Sequence, residues 1–344
     1  PRQILIYLLL AVNFPINTIR YITTFLPLVV GPIFLYYFLF NILSSTKLTH
    51  KNIKITAFLS GVYYLLNLNT LQTFFIPFET FTWFYGSLPI LLHVFTNYLK
   101  KANISNLLWI LFVSFLSGSA FYVETIFVVF GLCLFPFVAE SIISNSKKLL
   151  VTTKGLIALT FTTIPQLYWL LPVAFFVKTN GLITTQNRIN SISSAETYFR
   201  NLEYGTIKDL FLMKGYLFEY LDLGLNGKYD YLLSSWRNHL SSPLISILGY
   251  VLSTIVLLGI YYAIKEKIAW SKSFLAVLLI SAFFLLGGGL LINNTIPFVG
   301  ELFRSPFTKF SIPLALSYSY FFAIGIVFLL DIFAFLDTRH TYNL

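Results

Sequence analysis

Arg304 and Lys309 stand in the stretch 293–310, which is polar and proline-bearing and lies between two long apolar runs. A guanidinium holds phosphate through two parallel N–H bonds, and an ammonium beside it adds a compact positive charge. Phe303, Phe307 and Phe310 interleave with the two cations, and Pro306 shapes the chain between them. Such a stretch at the mouth of a membrane span suits the phosphate head group of a lipid whose tail stays in the bilayer. The bland alternative is two interfacial cations snorkelling at a helix end. Glu301 either pairs with Arg304 or holds the hydroxyl of an acceptor.

Two other carboxylates, Glu79 and Glu124, fall at turns between apolar runs. They are the candidates for lining a cavity or acting as a base, against the plainer role of solvated turn residues. A second stretch, 165–172, places Gln166, Tyr168 and Trp169 between Pro165 and Pro172. Tyr168 and Trp169 are either belt anchors or the walls of a kinked, cavity-facing helix on which a sugar could stack. Gly287, Gly288 and Gly289 read as close helix packing, with local unwinding as the sharper alternative. His93 reads as a lone interhelical hydrogen-bonder, and the four histidines are too scattered to suggest a metal site. The single cysteine, Cys133, excludes disulfide and cysteine–metal frameworks within the chain.

The elements that must position these groups follow from composition. Only 10% of the 344 residues are charged and 57% are hydrophobic, against about 25% charged in a soluble domain. The net charge of +10 is spread in small groups between apolar runs, so it gives no basic face for nucleic acid. Apolar runs of about 20 residues cross a bilayer as helices. They predict an all-α, polytopic membrane protein with about nine spans: 21–43, 55–72, 81–99, a hairpin of two short passes over 106–143, 155–177, 244–263, 273–292 and 311–335. Residues 1–20 read as an outer-face or re-entrant segment. The long polar segment 178–243 reads as a folded layer of short helices. It separates an N-terminal bundle, 1–177, from C-terminal helices, 244–344. Threading the spans puts Lys47, Lys51, Lys54, Lys100, Lys101, Lys147, Lys148, Lys154, Lys265, Lys267 and Lys272 on one side. By the positive-inside rule that side is cytoplasmic, and the loops 178–243 and 293–310 are extracytoplasmic.

The element Tyr168-Trp169-Leu170-Leu171-Pro172 before the large loop, the element 303–310 before a span, and Leu65-Leu66-Asn67-Leu68-Asn69 together resemble the GT-C superfamily of polytopic glycosyltransferases. The resemblance is to relatives of the alpha-(1->3)-arabinofuranosyltransferase family and to the similar YfhO-like membrane proteins. It covers most of the chain through short motifs. It implies a cell-envelope transferase that moves a sugar from a polyprenyl-phosphate donor to an extracytoplasmic glycan or lipid acceptor. The family's catalytic carboxylate lies in the first external loop, yet no acidic residue precedes Glu79 here. The expectation is therefore a fragment lacking the first span and loop, or a protein without that activity. No cofactor is legible, and a divalent cation at the donor phosphate stays open. The rivals are a non-enzymatic transporter or flippase of a polyprenyl-linked glycan, and a membrane scaffold that binds partners through its external loop. Charges are nearly absent from span centres, which favours an outer-face site over a transport path.

Overall fold

A computed structural model describes residues 2–186, 205–224, 227–289, 291–292, 303 and 305–341. Helix dominates, as hydrocarbon demands, because each helical segment satisfies its own backbone polar groups. The N-terminal helix α1 (Arg2–Ala11) ends where Asn13 turns left-handed at φ 59°, and Pro15 then starts α2 (Ile16–Leu43). Pro27 and Pro32 ride inside α2 without ending it. The expected span 55–72 is instead two helices, α3 (His50–Leu65) and α4 (Leu68–Phe75). Next come α5 (Glu79–Lys100), α6 (Ile104–Leu116), the one-turn α7 (Gly118–Phe121) and α8 (Glu124–Ser144). The hairpin over 106–143 thus breaks next to Gly118 and Ser119. Pro165 sits in a 3-10 turn, Ile164–Gln166, that joins α9 (Lys148–Thr163) to α10 (Leu167–Gln186). Helix continues past residue 177 to Gln186.

The layer between the two halves holds α11 (Ile207–Phe211), a 3-10 turn (Tyr216–Phe218), a hairpin of β1 (Leu221–Leu223) and β2 (Tyr229–Tyr231), and α12 (Ser234–Leu240). The hairpin pairs Leu221 with Tyr231 and Leu223 with Tyr229. Three long helices finish the chain: α13 (Pro243–Lys265), α14 (Ser271–Phe283) and α15 (Phe307–Thr341). A π turn, Phe284–Gly288, follows α14, and Gly287 there sits at φ 89°. At the glycine triplet the structure therefore adopts local unwinding.

Among the described residues, six helices are long and apolar enough to cross a membrane: Ile16–Leu43, Glu124–Ser144, Lys148–Gly181, Pro243–Lys265, Ser271–Gly288 and Phe307–Ala334. Their surroundings differ. The most apolar window of α15 is 78% buried and that of α13 is 17% buried, so α15 is the central post and α13 faces outward. Small residues set the spacing of the bundle. A Cβ on Gly259 of α13 would lie 1.9 Å from the Phe321 carbonyl oxygen, and one on Gly325 of α15 would lie 2.1 Å from that of Ile255. Helices α2 and α5 meet in the same way, with Gly86 against Pro27.

One end of the bundle gathers the lysine-bearing helix ends. Lys100, closing α5, reaches the Asn41 side chain near the end of α2 at 3.4 Å. Asn52 donates to Asp331 at 3.2 Å, and Tyr262 donates to the same carboxylate at 3.4 Å, joining α3, α13 and α15. Near the end of α8, Glu140 accepts from the backbone N–H groups of Trp270 and Ser273, at 3.1 and 2.8 Å, and from the Ser273 hydroxyl at 2.6 Å. The carboxylate thereby satisfies orphan donors at the start of α14, which no side chain of its own N-cap residue does.

Gly259→Ala should force α13 and α15 apart and lower the stability of the purified protein by about 3 kcal/mol. Gly131→Ala, whose Cβ meets nothing within 4 Å, should leave it unchanged. Thermal unfolding of both variants in detergent checks the contrast.

Candidate functional site

Away from the end that holds Lys100 and Asp331, the chain breaks inside the bundle. Leu66 leaves the helical range (φ −105°, ψ 48°), and Asn67 is extended. Ending a helix there frees carbonyls that water cannot reach, and three side chains meet them. The Asn67 amide donates to the carbonyl oxygens of Tyr63 and Tyr64 at 2.9 and 2.7 Å, while its oxygen caps α4 by accepting from the Thr70 N–H at 2.9 Å. The Tyr85 and Thr70 hydroxyls also donate to the Tyr64 carbonyl, at 2.9 and 2.7 Å. Tyr64 returns a bond to the Tyr85 carbonyl at 3.0 Å, and the two rings stack 4.2 Å apart and nearly parallel. Tyr64 and Tyr85 are fully buried.

The short α4 that results has two faces. At about 100° per residue, Asn69, Gln72 and Thr73 fall on one side, and Leu68, Leu71 and Phe75 on the other. The first side walls a narrow cleft completed by Phe78 and Phe81 from the start of α5, Thr308 and Ser311 from the start of α15, and Gly215 and Leu217 from the layer. Asn69 spans it, donating to the Ser311 carbonyl at 3.3 Å. The cleft encloses about 40 Å³, room for a water or two.

On its other side α4 walls an open groove of about 1040 Å³, bounded by Tyr63, Phe211, Trp236, Leu248 and Leu252 among others. Leu66, Phe75 and Leu248 are more than 45% exposed around it, so the groove opens sideways along the apolar flank of the bundle. Its mouth carries Lys208, Lys214, Glu219, Arg237 and His239. Glu219 pairs with Lys214 at 2.5 Å and Arg237 at 3.0 Å. The Arg237 guanidinium also lies 3.6 Å over the Tyr231 ring, a cation–π contact that fixes its plane. The layer is pinned in place by the Phe211 carbonyl, which accepts from Ser253 of α13 at 2.7 Å and Tyr318 of α15 at 2.8 Å. Beneath it Leu217, Phe218 and Leu233 form a small core against Leu68 and Leu71.

The residues singled out in the sequence lie in four places. Lys309 is in the first turn of α15, 8% exposed, and donates to the Ser305 carbonyl at 3.2 Å. The aromatic residues around it are packed, with Phe310 stacked on Phe284 at 4.2 Å and Phe303 tilted at 45° against Phe284 at 4.7 Å. Glu301 and Arg304 lie outside the described residues. Glu79 opens α5 beside the cleft, between the lining residues Phe78 and Phe81, and is partly buried. Glu124 opens α8 and lines neither cleft nor groove. Trp169 is buried, donating to the Gln166 side-chain oxygen at 3.0 Å with its ring edge-on to Phe127, while Gln166 donates to the Ser114 carbonyl at 2.7 Å. Tyr168, next in sequence, is 61% exposed. Glu79 and Lys309 are sequence neighbours of the cleft residues Phe78 and Thr308 but do not themselves line it, and Glu124, Tyr168 and Trp169 lie elsewhere.

The groove mouth was not anticipated. Its cations are spread over thirty residues of a polar segment, and the one signal was the aromatic-rich run around Tyr229 and Trp236. Among the described residues no three of His, Cys, Asp and Glu come together in a way that could hold a metal ion. Compared with known families, curated proteins and solved structures, the chain matches none.

Asn67→Leu removes both the cap of α4 and two carbonyl donors, and should cost about 2 kcal/mol. Tyr85→Phe removes one of three donors to the Tyr64 carbonyl and should cost about 1 kcal/mol. Unfolding of the two variants in detergent gives the order.

Proposed function

We propose that this protein is a membrane glycosyltransferase of the GT-C kind, moving a sugar from a polyprenyl-phosphate donor to a glycan or lipid acceptor outside the cell membrane. The observation that carries the reading is the cleft at the start of α15, where a helix N-terminus meets a wall of amides and hydroxyls and the buried ammonium of Lys309 lies in the same helical turn. Lys309 and the positive end of the helix dipole both draw negative charge to that place. Asn69, Gln72, Thr73, Thr308 and Ser311 supply donors and acceptors of the kind sugar hydroxyls pair with. A phosphate is already a competent leaving group. Neutralising it and positioning the acceptor therefore matter more than acid chemistry.

In this reading Arg304 and Lys309 hold the donor phosphate, with Glu301 on the acceptor side or paired with Arg304. Glu79 is the carboxylate this chain offers as general base, favoured over Glu124 by its place beside the cleft. At its present size the cleft admits no sugar, so the wall formed by Gln72 and Gly215 must part on binding. Nine crossings follow when α3, α5 and α6 are added to the six long apolar segments, with α9 and α10 counted as one. The lysine-rich end is then cytoplasmic and the layer external.

Transfer from a radiolabelled polyprenyl-phosphate sugar, assayed in membranes carrying the protein, should fall at least a hundredfold in Glu79→Gln and persist in Glu124→Gln. Activity retained by Glu79→Gln removes the base assignment. Arg304→Ala should weaken polyprenyl-phosphate binding in detergent titrations while leaving the fold intact. Orientation is testable because the one native cysteine, Cys133, is buried. Cys placed at Lys228 should react with a membrane-impermeant maleimide on whole cells, and Cys placed at Lys47 only after permeabilisation. The reverse pattern would invert the topology.

A further inference from the structure

We infer that the groove between α4, the layer and α13 is a binding site for an anionic phospholipid of the surrounding bilayer, separate from the cleft and its ligands. The inference goes beyond the transferase reading and stands on three features.

The first is shape and lining. At about 1040 Å³ the groove is at the upper end of small-molecule sites, and Leu, Ile and Phe side chains make up about half of its lining. It opens along a flank where Leu66, Phe75 and Leu248 are exposed, the surface that meets acyl chains. A tail can therefore enter sideways without crossing water.

The second is charge complementarity. The polar residues at the mouth include three fixed cations, Lys208, Lys214 and Arg237, and one carboxylate, Glu219, so the mouth carries a net +2 with His239 neutral. Glu219 accounts for one positive charge through its paired contacts with Lys214 and Arg237. The surplus sits where a head group would lie if its tails followed Leu248 and Leu252 down α13. Arg237, held flat over Tyr231, presents a planar fork suited to phosphate oxygens. Lys208 is exposed at the rim and adds a flexible positive charge, and Trp236, 40% exposed, provides the amphipathic ring favoured at head-group depth.

The third is separation. The groove and the cleft are lined by different residues of α4 and share none, so the groove cations stand outside the cleft. A lipid in the groove would wedge Leu68 and Leu71 against the layer and hold the wall of the cleft in place, without itself entering the cleft.

The test places the purified protein in nanodiscs of equal phosphatidylglycerol and phosphatidylcholine with no sugar donor present, releases it, and counts retained lipids by native mass spectrometry. The expected result is preferential retention of phosphatidylglycerol. In Lys208→Ala that retention should fall about fivefold, since a basic residue near an anionic head group contributes about 1 kcal/mol. Leu248→Trp, which narrows the groove along the path of the tails without touching the charges, should also lower it. Equal retention of both lipids, or retention unmoved by either variant, would overturn the inference. Displacement of phosphatidylglycerol by equimolar polyprenyl phosphate in a Leu248-sensitive manner would also overturn it, by giving the groove to the donor. Because no transfer is measured, failure here leaves the transferase reading untouched, and absence of transfer leaves the lipid site untouched.

Discussion

Inside hydrocarbon a carbonyl that loses its helical partner has no water to turn to, and the cost runs to several kcal/mol. The end of α3 creates such carbonyls in the middle of the bundle. Tyr64 and Tyr85 answer each other across two helices, each hydroxyl donating to the other's backbone, while Asn67 and Thr70 supply the remaining donors. This exchange permits the chain to turn at Leu66 and lay down α4 as a separate element. Without α4 there is no partition, and neither cleft nor groove has its shared wall.

The rest of the bundle is arranged so that this break is affordable. Gly31 and Gly86 bring α2 and α5 within contact distance of each other's proline and tyrosine, which places the Tyr85 ring against Tyr64. On the far side, Ser60 of α3 donates to the Ser319 carbonyl of α15 at 3.1 Å, and Gly259 and Gly325 press α13 onto α15. The opposite end is tied by side chains rather than by close backbone approach. There Glu140 and Asp331 each collect donors from other helices. One end is thus braced by carboxylates, and the other is opened by a helix break and roofed by the layer.

The long apolar runs were legible in the sequence, because length and hydrophobicity alone decide which segments are long and apolar enough to cross a bilayer. The break in the 55–72 run was not. Leu66 and Asn67 look like any apolar–polar pair until Tyr85, eighteen residues beyond Asn67, is known to face them. Trp169 and Tyr168 are neighbours with opposite fates, one buried on Phe127 and the other exposed, and only the rotation of α10 after the Pro165 turn separates them. The groove cations escaped for a related reason. Lys208, Lys214 and Arg237 converge through the fold of the layer, and no local spacing brings them together. Lys309 and its aromatic neighbours read as part of a polar loop ending at 310, whereas the helix already starts at Phe307 and buries them, and the chemistry ascribed to Glu301 and Arg304 lies outside the described residues.

The two-faced α4 carries one further consequence. It is only two turns long, has Asn67 as its N-cap and Ile76 as its C-cap, and is the common wall of two chambers of very different size. A wall cannot lean into one chamber without withdrawing from the other. To the extent that a molecule widens the cleft by moving α4, it also reshapes the groove, and the free energies of filling the two spaces are then linked with equal effect in both directions. The bilayer, through whatever occupies its side of α4, thereby sets a mechanical load on the polar chamber it never enters.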